Sequence, residues 1–180
     1  MGPTNSYVWT SRGLVTYHVL FIIKHATRAL HIAGITTKPD SAFMAQVARN
    51  LTILGDGFLN GMNHLILDHD TKFTAEFQGI LEDAGVKIVP ISYQAPNMNA
   101  VAERWVRSIK DECLGRMILF GEQQLHRAIN EYIAHYHAER AHQGLGNELI
   151  QPGPHSTAGD GPVVESERLG GLLHSYQRAA

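Results

Sequence analysis

Two acids, Asp68 and Glu103, are the residues best placed by type and setting to do chemistry. Asp68 closes the apolar run His64-Leu65-Ile66-Leu67, which reads as a short buried strand,. Open α/β sheets bind ligands outside the carboxyl ends of their strands, so an acid there is well sited. Glu103 falls in or near the first turn of a helix that begins around Asn99, with Asn99 or Asn97 as its cap,. Arg107 and Lys110 follow it by four and seven residues, which puts all three on one helix face,. Carboxylates held together repel one another unless a hard cation lies between them. Mg²⁺ or Mn²⁺ bound by Asp68 and Glu103 could activate a water or a 3′-hydroxyl and stabilise the leaving oxygen of a phosphodiester. The neighbouring cations would then hold DNA phosphates. The plain alternatives are a polar turn at Asp68-His69-Asp70 and a solvated helix face with an i, i+4 ion pair at Glu103,.

The elements that would carry these acids can be traced along the chain. Tyr7–Thr10, Leu14–Ile23 and Ala29–Thr37 are apolar or β-branched runs separated by tight polar breaks, and they predict an antiparallel meander,. A helix is expected after Pro39, capped by Asp40 or Ser41,. The strand ending at Asp68 follows, then a helix through Phe77, Ile80, Leu81 and Ala84 that stops at Gly85,. Val86–Ile91 is expected as a strand, about Asn99 to Arg116 as a long helix, and Glu122–Glu139 as a last helix,. Three strands followed by β-α-β units give an α/β fold, a mixed sheet flanked by helices. Residues 1–150 form the core in this reading. Residues 151–180, rich in Gly and Pro at Gln151-Pro152-Gly153-Pro154, form a linker and C-terminal tail,.

Composition bounds the partners. The chain has 180 residues, 44% apolar and 18% charged, as in ordinary globular domains,. A net charge of -2 argues against general DNA coating, so any DNA contact must be a local patch,. The single Cys113 excludes an internal disulfide and is expected as inert packing; a reduced cytosolic setting fits,. The run Leu14–Ile23 is about half the length of a membrane helix, and no secretory signal is visible. Trp105 is expected in the core or at its rim, Trp9 partly exposed, and Met44, Met62 and Met117 as gap fillers,. Zinc ligation by the cluster His126, His135, His137, His142 and His155 is disfavoured, since no thiolates join it,.

Three stretches carry a resemblance: His64-Leu65-Ile66-Leu67-Asp68-His69-Asp70-Thr71-Lys72-Phe73, Ala95-Pro96-Asn97-Met98-Asn99-Ala100-Val101-Ala102-Glu103-Arg104-Trp105-Val106, and His135-Tyr136-His137-Ala138-Glu139-Arg140-Ala141-His142-Gln143-Gly144-Leu145. They resemble the DDE transposases of bacterial insertion sequences and, more distantly, retroviral integrases. The similarity runs from about Val8 to Ile150. It implies a ribonuclease-H-like core that cuts and joins DNA with Mg²⁺ or Mn²⁺. It matches Asp68 to the second catalytic aspartate, five residues before Phe73, and Glu103 to the catalytic glutamate. Arg107 and Lys110 match DNA-contacting cations, and Asn99 matches a polar residue at the edge of the active site. Tyr136, Arg140 and His142 are expected to pack against the core, a DNA contact being the alternative. The implied partners are DNA, as element ends and target duplex, and further copies of the full-length protein; the implied setting is the bacterial cytoplasm, with no membrane. One departure stands out. The family's first aspartate, carried back from Val8-Trp9-Thr10, lands near Gly2, and no Asp or Glu precedes Asp40. The first strand therefore reads as truncated, and strand transfer is expected to be weak or absent. A catalytically inactive DNA-binding or assembly module and a ribonuclease-H-like nuclease are the competing expectations.

Overall fold

An alternation of small inward and larger outward residues makes the chain a strand from its second residue. In the computed structural model, which describes residues 1–91, 99–153 and 161–179, β1 (Gly2–Thr10) buries Gly2, Thr4, Ser6 and Val8. It exposes Asn5, Tyr7 and Trp9. The strand expected over residues 7–10 is only its final part. Upstream of Val8 the inward positions are Gly, Thr and Ser, so the apolar alternation that announces a strand is missing,. Gly13, at φ 103°, takes a backbone conformation that other residues avoid, and it turns the chain into β2 (Gly13–Ile23),. With β3 (Leu30–Thr36) these strands form an antiparallel sheet in the order β1-β2-β3.

Asp40 starts α1 (Ser41–Thr52) by accepting the Phe43 N–H at 3.0 Å,. Then come β4 (His64–Leu67), α2 (Ala75–Asp83) capped by the Thr74 hydroxyl, and β5 (Lys87–Pro90). Gly85, at φ 84°, ends α2 as expected,. β5 pairs parallel to β4 from His64↔Lys87 to Leu67↔Pro90, so β4, α2 and β5 form a β-α-β unit,. Strand, strand, strand, helix, strand, helix, strand is the order expected from the sequence. The β4–β5 pair is a sheet separate from β1-β2-β3. Met1 links them: its amino group donates to the Ile66 carbonyl at 2.6 Å, and its carbonyl accepts from the Asp68 N–H at 3.4 Å.

The chain divides into two compact units. The first comprises Met1–Tyr7, Val15–Ile23 and His31–Trp105. Its core is built on Leu20, Met44, Leu51, Leu67, Phe77 and Leu81, each at most 3% exposed. Trp105 is also buried there, its ring 4.2 Å from that of Phe21. Met62, expected as a gap filler, is instead exposed.

The second unit comprises Val8–Leu14, Lys24–Leu30 and Val106–Ala180. Helix α3 (Ala100–Glu112) stops one turn short of the Arg116 expected, and Leu114–Arg116 forms a 3-10 turn. A Cβ on Gly115 would come within 2.5 Å of the Lys110 carbonyl, so this tight exit requires glycine,. Helix α4 (Glu122–Ala138) buries Leu125, Ile129 and Tyr132. Just before it, the Trp9 N–H donates to the Leu119 carbonyl and the Gly121 N–H donates to the Trp9 carbonyl, both at 2.8 Å. Within the segment read as linker and tail, β6 (Val163–Arg168) and β7 (Leu173–Arg178) form an antiparallel hairpin. Arg168 fixes it to α4: Nε and Nη2 donate to Glu139 Oε1 at 2.9 and 2.7 Å, and Nη1 donates to Glu131 Oε2 at 2.7 Å. Among the described residues, no helix is long and apolar enough to cross a membrane.

Candidate active site

Asp68 is where β4 leaves the sheet. Leu65 and Leu67 point into the core, and the next residue emerges exposed at the carboxyl end of the strand,. Its Oδ1 accepts the adjacent His69 N–H at 2.8 Å. It borders a cavity of about 370 Å³ lined also by Asp70, Phe73, Gln78, Glu82 and Pro90. Phe73 anchors the far side of this loop, buried with its ring 5.4 Å from that of Phe77. The His69 ring donates to the Ile91 carbonyl and ties the loop to the chain after β5.

The two aspartates of the loop differ in what holds them. Asp70 accepts from the Lys72 backbone N–H at 2.9 Å and from Lys72 Nζ at 2.9 and 3.1 Å. Partial burial pushes the Asp70 carboxyl upward, but these bonds outweigh it and leave the group below its ordinary value,. Asp70 is thus engaged in closing the turn, whereas Asp68 faces solvent.

Glu103 sits in the first turn of α3 and is exposed; its N–H donates to the Asn99 carbonyl at 2.9 Å. Asn99, half-buried, is the residue from which the helix starts. Pro96 and the alternative cap Asn97 lie outside the described residues. Arg107 and Lys110 are exposed further along α3. Among the described residues, the i, i+4 ion pair weighed for Glu103 and Arg107 does not form. The buried stripe of α3 is Trp105, Ser108, Ile109 and Cys113. Ala102 and Val106, also apolar, are only half-buried.

The resemblance carries the family's first aspartate back to near Gly2. Met1, its neighbour, is hydrogen-bonded to both Ile66 and Asp68, so β1 begins beside the end of β4. A Cβ on Gly2 would lie 3.5 Å from Phe21 Cζ, an ordinary contact, so a side chain has room to start there. As oxygen donors, Asp68 and Glu103 suit a hard divalent cation in kind. In number they fall one carboxylate short of the set that the resemblance implies. Among the described residues, neither belongs to a group of three converging His, Cys, Asp or Glu ligand atoms.

Sequence reasoning missed a polar cluster that braces the later part of α3. The Tyr132 hydroxyl donates to Ser108 Oγ at 2.7 Å, the Ser108 hydroxyl donates to Glu112 Oε1 at 3.0 Å, and Arg140 Nη1 lies within hydrogen-bonding reach of Ser108, Glu112 and Tyr132. Burial pushes the Tyr132 phenol well above its ordinary value. The four-residue spacing of Ser108 and Glu112 was the one local signal, and nothing in sequence announced Arg140 as their partner. Of the three residues expected to pack against the core, Tyr136 is buried, and His142 and Arg140 are half-buried against it: the His142 ring meets Tyr136 edge-on at 4.5 Å, and Arg140 lies 5.9 Å from the Tyr136 centroid. Cys113 is buried, and desolvation with Glu112 nearby pushes its thiol up to about 12, which makes it inert,.

Residues 84–148 match the family model described as the integrase core domain. The match bears out the resemblance read from the sequence, an integrase- or transposase-type catalytic core. Asn99, Glu103, Arg107 and Lys110 lie inside the matched stretch, and Asp68 precedes it. Fifteen chains of solved structures match, two of them as follows. One is the catalytic core domain of HTLV-2 integrase in complex with magnesium, in a trimeric form. It is 12% identical, with 83% of this chain and 90% of that one covered and a TM-score of 0.49. The other is a simian T-cell lymphotropic virus intasome in complex with a protein phosphatase 2A regulatory subunit. It is 11% identical, with 61% of this chain and 40% of that one covered and a TM-score of 0.35. No curated protein matches.

Proposed function

We propose that this chain is a polynucleotidyl transferase core for DNA integration or transposition, in which Asp68 and Glu103 hold the catalytic metal and Arg107, Lys110 and Asn99 contact DNA. What supports this is α3 inside the matched stretch, where an acid opens an exposed helix face that two cations continue. Asp68 would supply the second carboxylate, from a strand end at which its neighbour Asp70 is already engaged. When bound, Mg²⁺ or Mn²⁺ would activate the attacking hydroxyl and stabilise the leaving oxygen. Arg107 and Lys110 would neutralise phosphates and set the register of the duplex without reading its sequence. The partners in this reading are element ends, a target duplex and further copies of the full-length protein, in the cytoplasm of a bacterium.

A second reading has a specific observation in its favour. Gly2 offers no carboxylate where the family's first aspartate would fall, so a DNA-binding or assembly module without strand transfer is the natural fallback. A labelled donor end incubated with a second duplex and Mn²⁺ separates the two. The transferase reading expects nicking that disappears in Asp68→Asn and Glu103→Gln, with little joining. Nicking that survives both substitutions would sink the assignment. The binding module expects no nicking, with DNA affinity that falls as salt rises and a salt slope about one unit shallower in Lys110→Ala.

A further inference from the structure

We propose that the β6–β7 hairpin carries a surface site for one divalent transition-metal ion, Zn²⁺ being the best fit, held by Glu165, Glu167 and His174. Successive residues of a strand alternate faces, so Glu165 and Glu167 project from the same side of β6,. The register sets Glu167 directly opposite His174 and Glu165 opposite Tyr176. One ligand atom from each of Glu165, Glu167 and His174 lies within 4.8 Å of the others. His174 Nδ1 stands 2.8 Å from Glu165 Oε1 and 3.9 Å from Glu167 Oε1. A tetrahedral Zn²⁺ with ligands at about 2.0–2.1 Å sets those ligands roughly 3.3 Å apart, a value these two distances bracket. Small rotamer adjustments would therefore complete the geometry, with solvent in the fourth position.

The chemistry of the donors selects the ion. One imidazole nitrogen with two carboxylates suits Zn²⁺ better than Mg²⁺ or Ca²⁺, which take oxygen alone. A Cβ on Gly171 would lie 3.4 Å from Glu167 Oε2 and 3.9 Å from His174 Nε2, so both groups fold over the turn. The Tyr176 hydroxyl donates to Glu165 Oε1 at 2.8 Å and steadies that carboxylate from the other strand. Two like charges on one face of one strand repel each other, and a bound cation converts that repulsion into a clip between β6 and β7. The site shares no residue with Asp68 or Glu103, so its failure would leave the DNA reading untouched.

Isothermal titration of the full chain with ZnCl₂ tests the proposal. One site is expected, weakened at least tenfold in His174→Ala and in Glu165→Gln/Glu167→Gln. His126→Ala, which alters an exposed histidine beside Glu122 on α4, should bind as wild type does. Equal zinc affinity in wild type and His174→Ala, or no binding by wild type, would overturn it. Hydrogen exchange on the wild type removes any dependence on how the variants fold. Zinc should slow exchange of the β6–β7 amides at least tenfold, and unchanged rates there would also overturn the site.

Discussion

Gly2→Asp is the substitution that bears most directly on whether this chain can hold a catalytic metal. Residue 2 is buried at the start of β1, next to the Met1 backbone that bonds Ile66 and Asp68. A Cβ there makes only ordinary contacts with the Phe21 ring, at 3.5 and 3.8 Å, so the strand can accept it without moving. The carboxylate is another matter. Without a cation, a new acid in a buried position beside Asp68 should cost about 1–3 kcal/mol through desolvation and like-charge repulsion. With a cation, that charge becomes a third ligand. A ligand present at its dissociation constant stabilises by only about 0.4 kcal/mol, and one at a hundredfold excess by about 2.7 kcal/mol. In a chain of this size each kcal/mol moves the melting temperature by about 2–4 °C. Thermal melts with and without Mn²⁺ should therefore show Gly2→Asp melting below wild type in chelator and gaining roughly 5–11 °C on metal addition. Wild type should gain a degree or two. Gly2→Asn, similar in shape and uncharged, should gain no more than wild type, and Asp68→Asn in the Gly2→Asp background should abolish the gain. If Gly2→Asp and Gly2→Asn respond to Mn²⁺ alike, position 2 does not face the metal-binding carboxylates and the reasoning fails.

Two further predictions concern the scaffold. Phe77 is fully buried and in ring contact with Phe73 at the base of the Asp68 loop, so Phe77→Ala should cost about 3–5 kcal/mol in urea unfolding,. A cost below about 1 kcal/mol would mean the site rests on a far looser core than the packing indicates. Glu139 gives a pH dependence. Burial pushes its carboxyl up, but bonds from Arg168 and His135 more than offset this and hold it below its ordinary value of 4.5. A depressed folded-state pKa contributes stability that is complete above the unfolded value and is lost as pH falls through the folded one. Urea midpoints should thus fall below about pH 4.5 in wild type, and fall less in Glu139→Gln. Identical pH profiles for the two proteins would show that the Arg168 contacts do not stabilise the fold.

Wherever one local rule decided an element, the sequence was enough to place it. Asp40 as a cap, Gly85 as a stop, and the apolar run before Asp68 all stand where pattern and cap chemistry put them,. The elements misjudged are those set by tertiary structure. β1 reaches Gly2 because small polar residues fill its inward positions, which no hydrophobicity pattern reports. α3 ends early because Gly115 must approach the Lys110 carbonyl, a backbone contact invisible in sequence. The hairpin in the last 20 residues was hidden by surrounding Gly and Pro, although Glu165, Glu167 and their partners alternate in the strand period. For the candidate site, Asp68 and Glu103 were legible from their places at a strand end and a helix start. That Asp70 is already bonded to Lys72 needed coordinates.

The short bridge between Trp9 and the segment just before α4 has a bearing on solubility. The last stretch of an outermost strand is a template on which a neighbouring molecule can add its own backbone and begin to aggregate. Here the donor and acceptor of Trp9 are already taken by Leu119 and Gly121, while the Trp9 and Phe120 rings stay largely exposed. Loosening that segment would bare both a hydrogen-bonding rim and two aromatic side chains in one step. Precipitation at high protein concentration is therefore a more natural consequence of damage there than unfolding is.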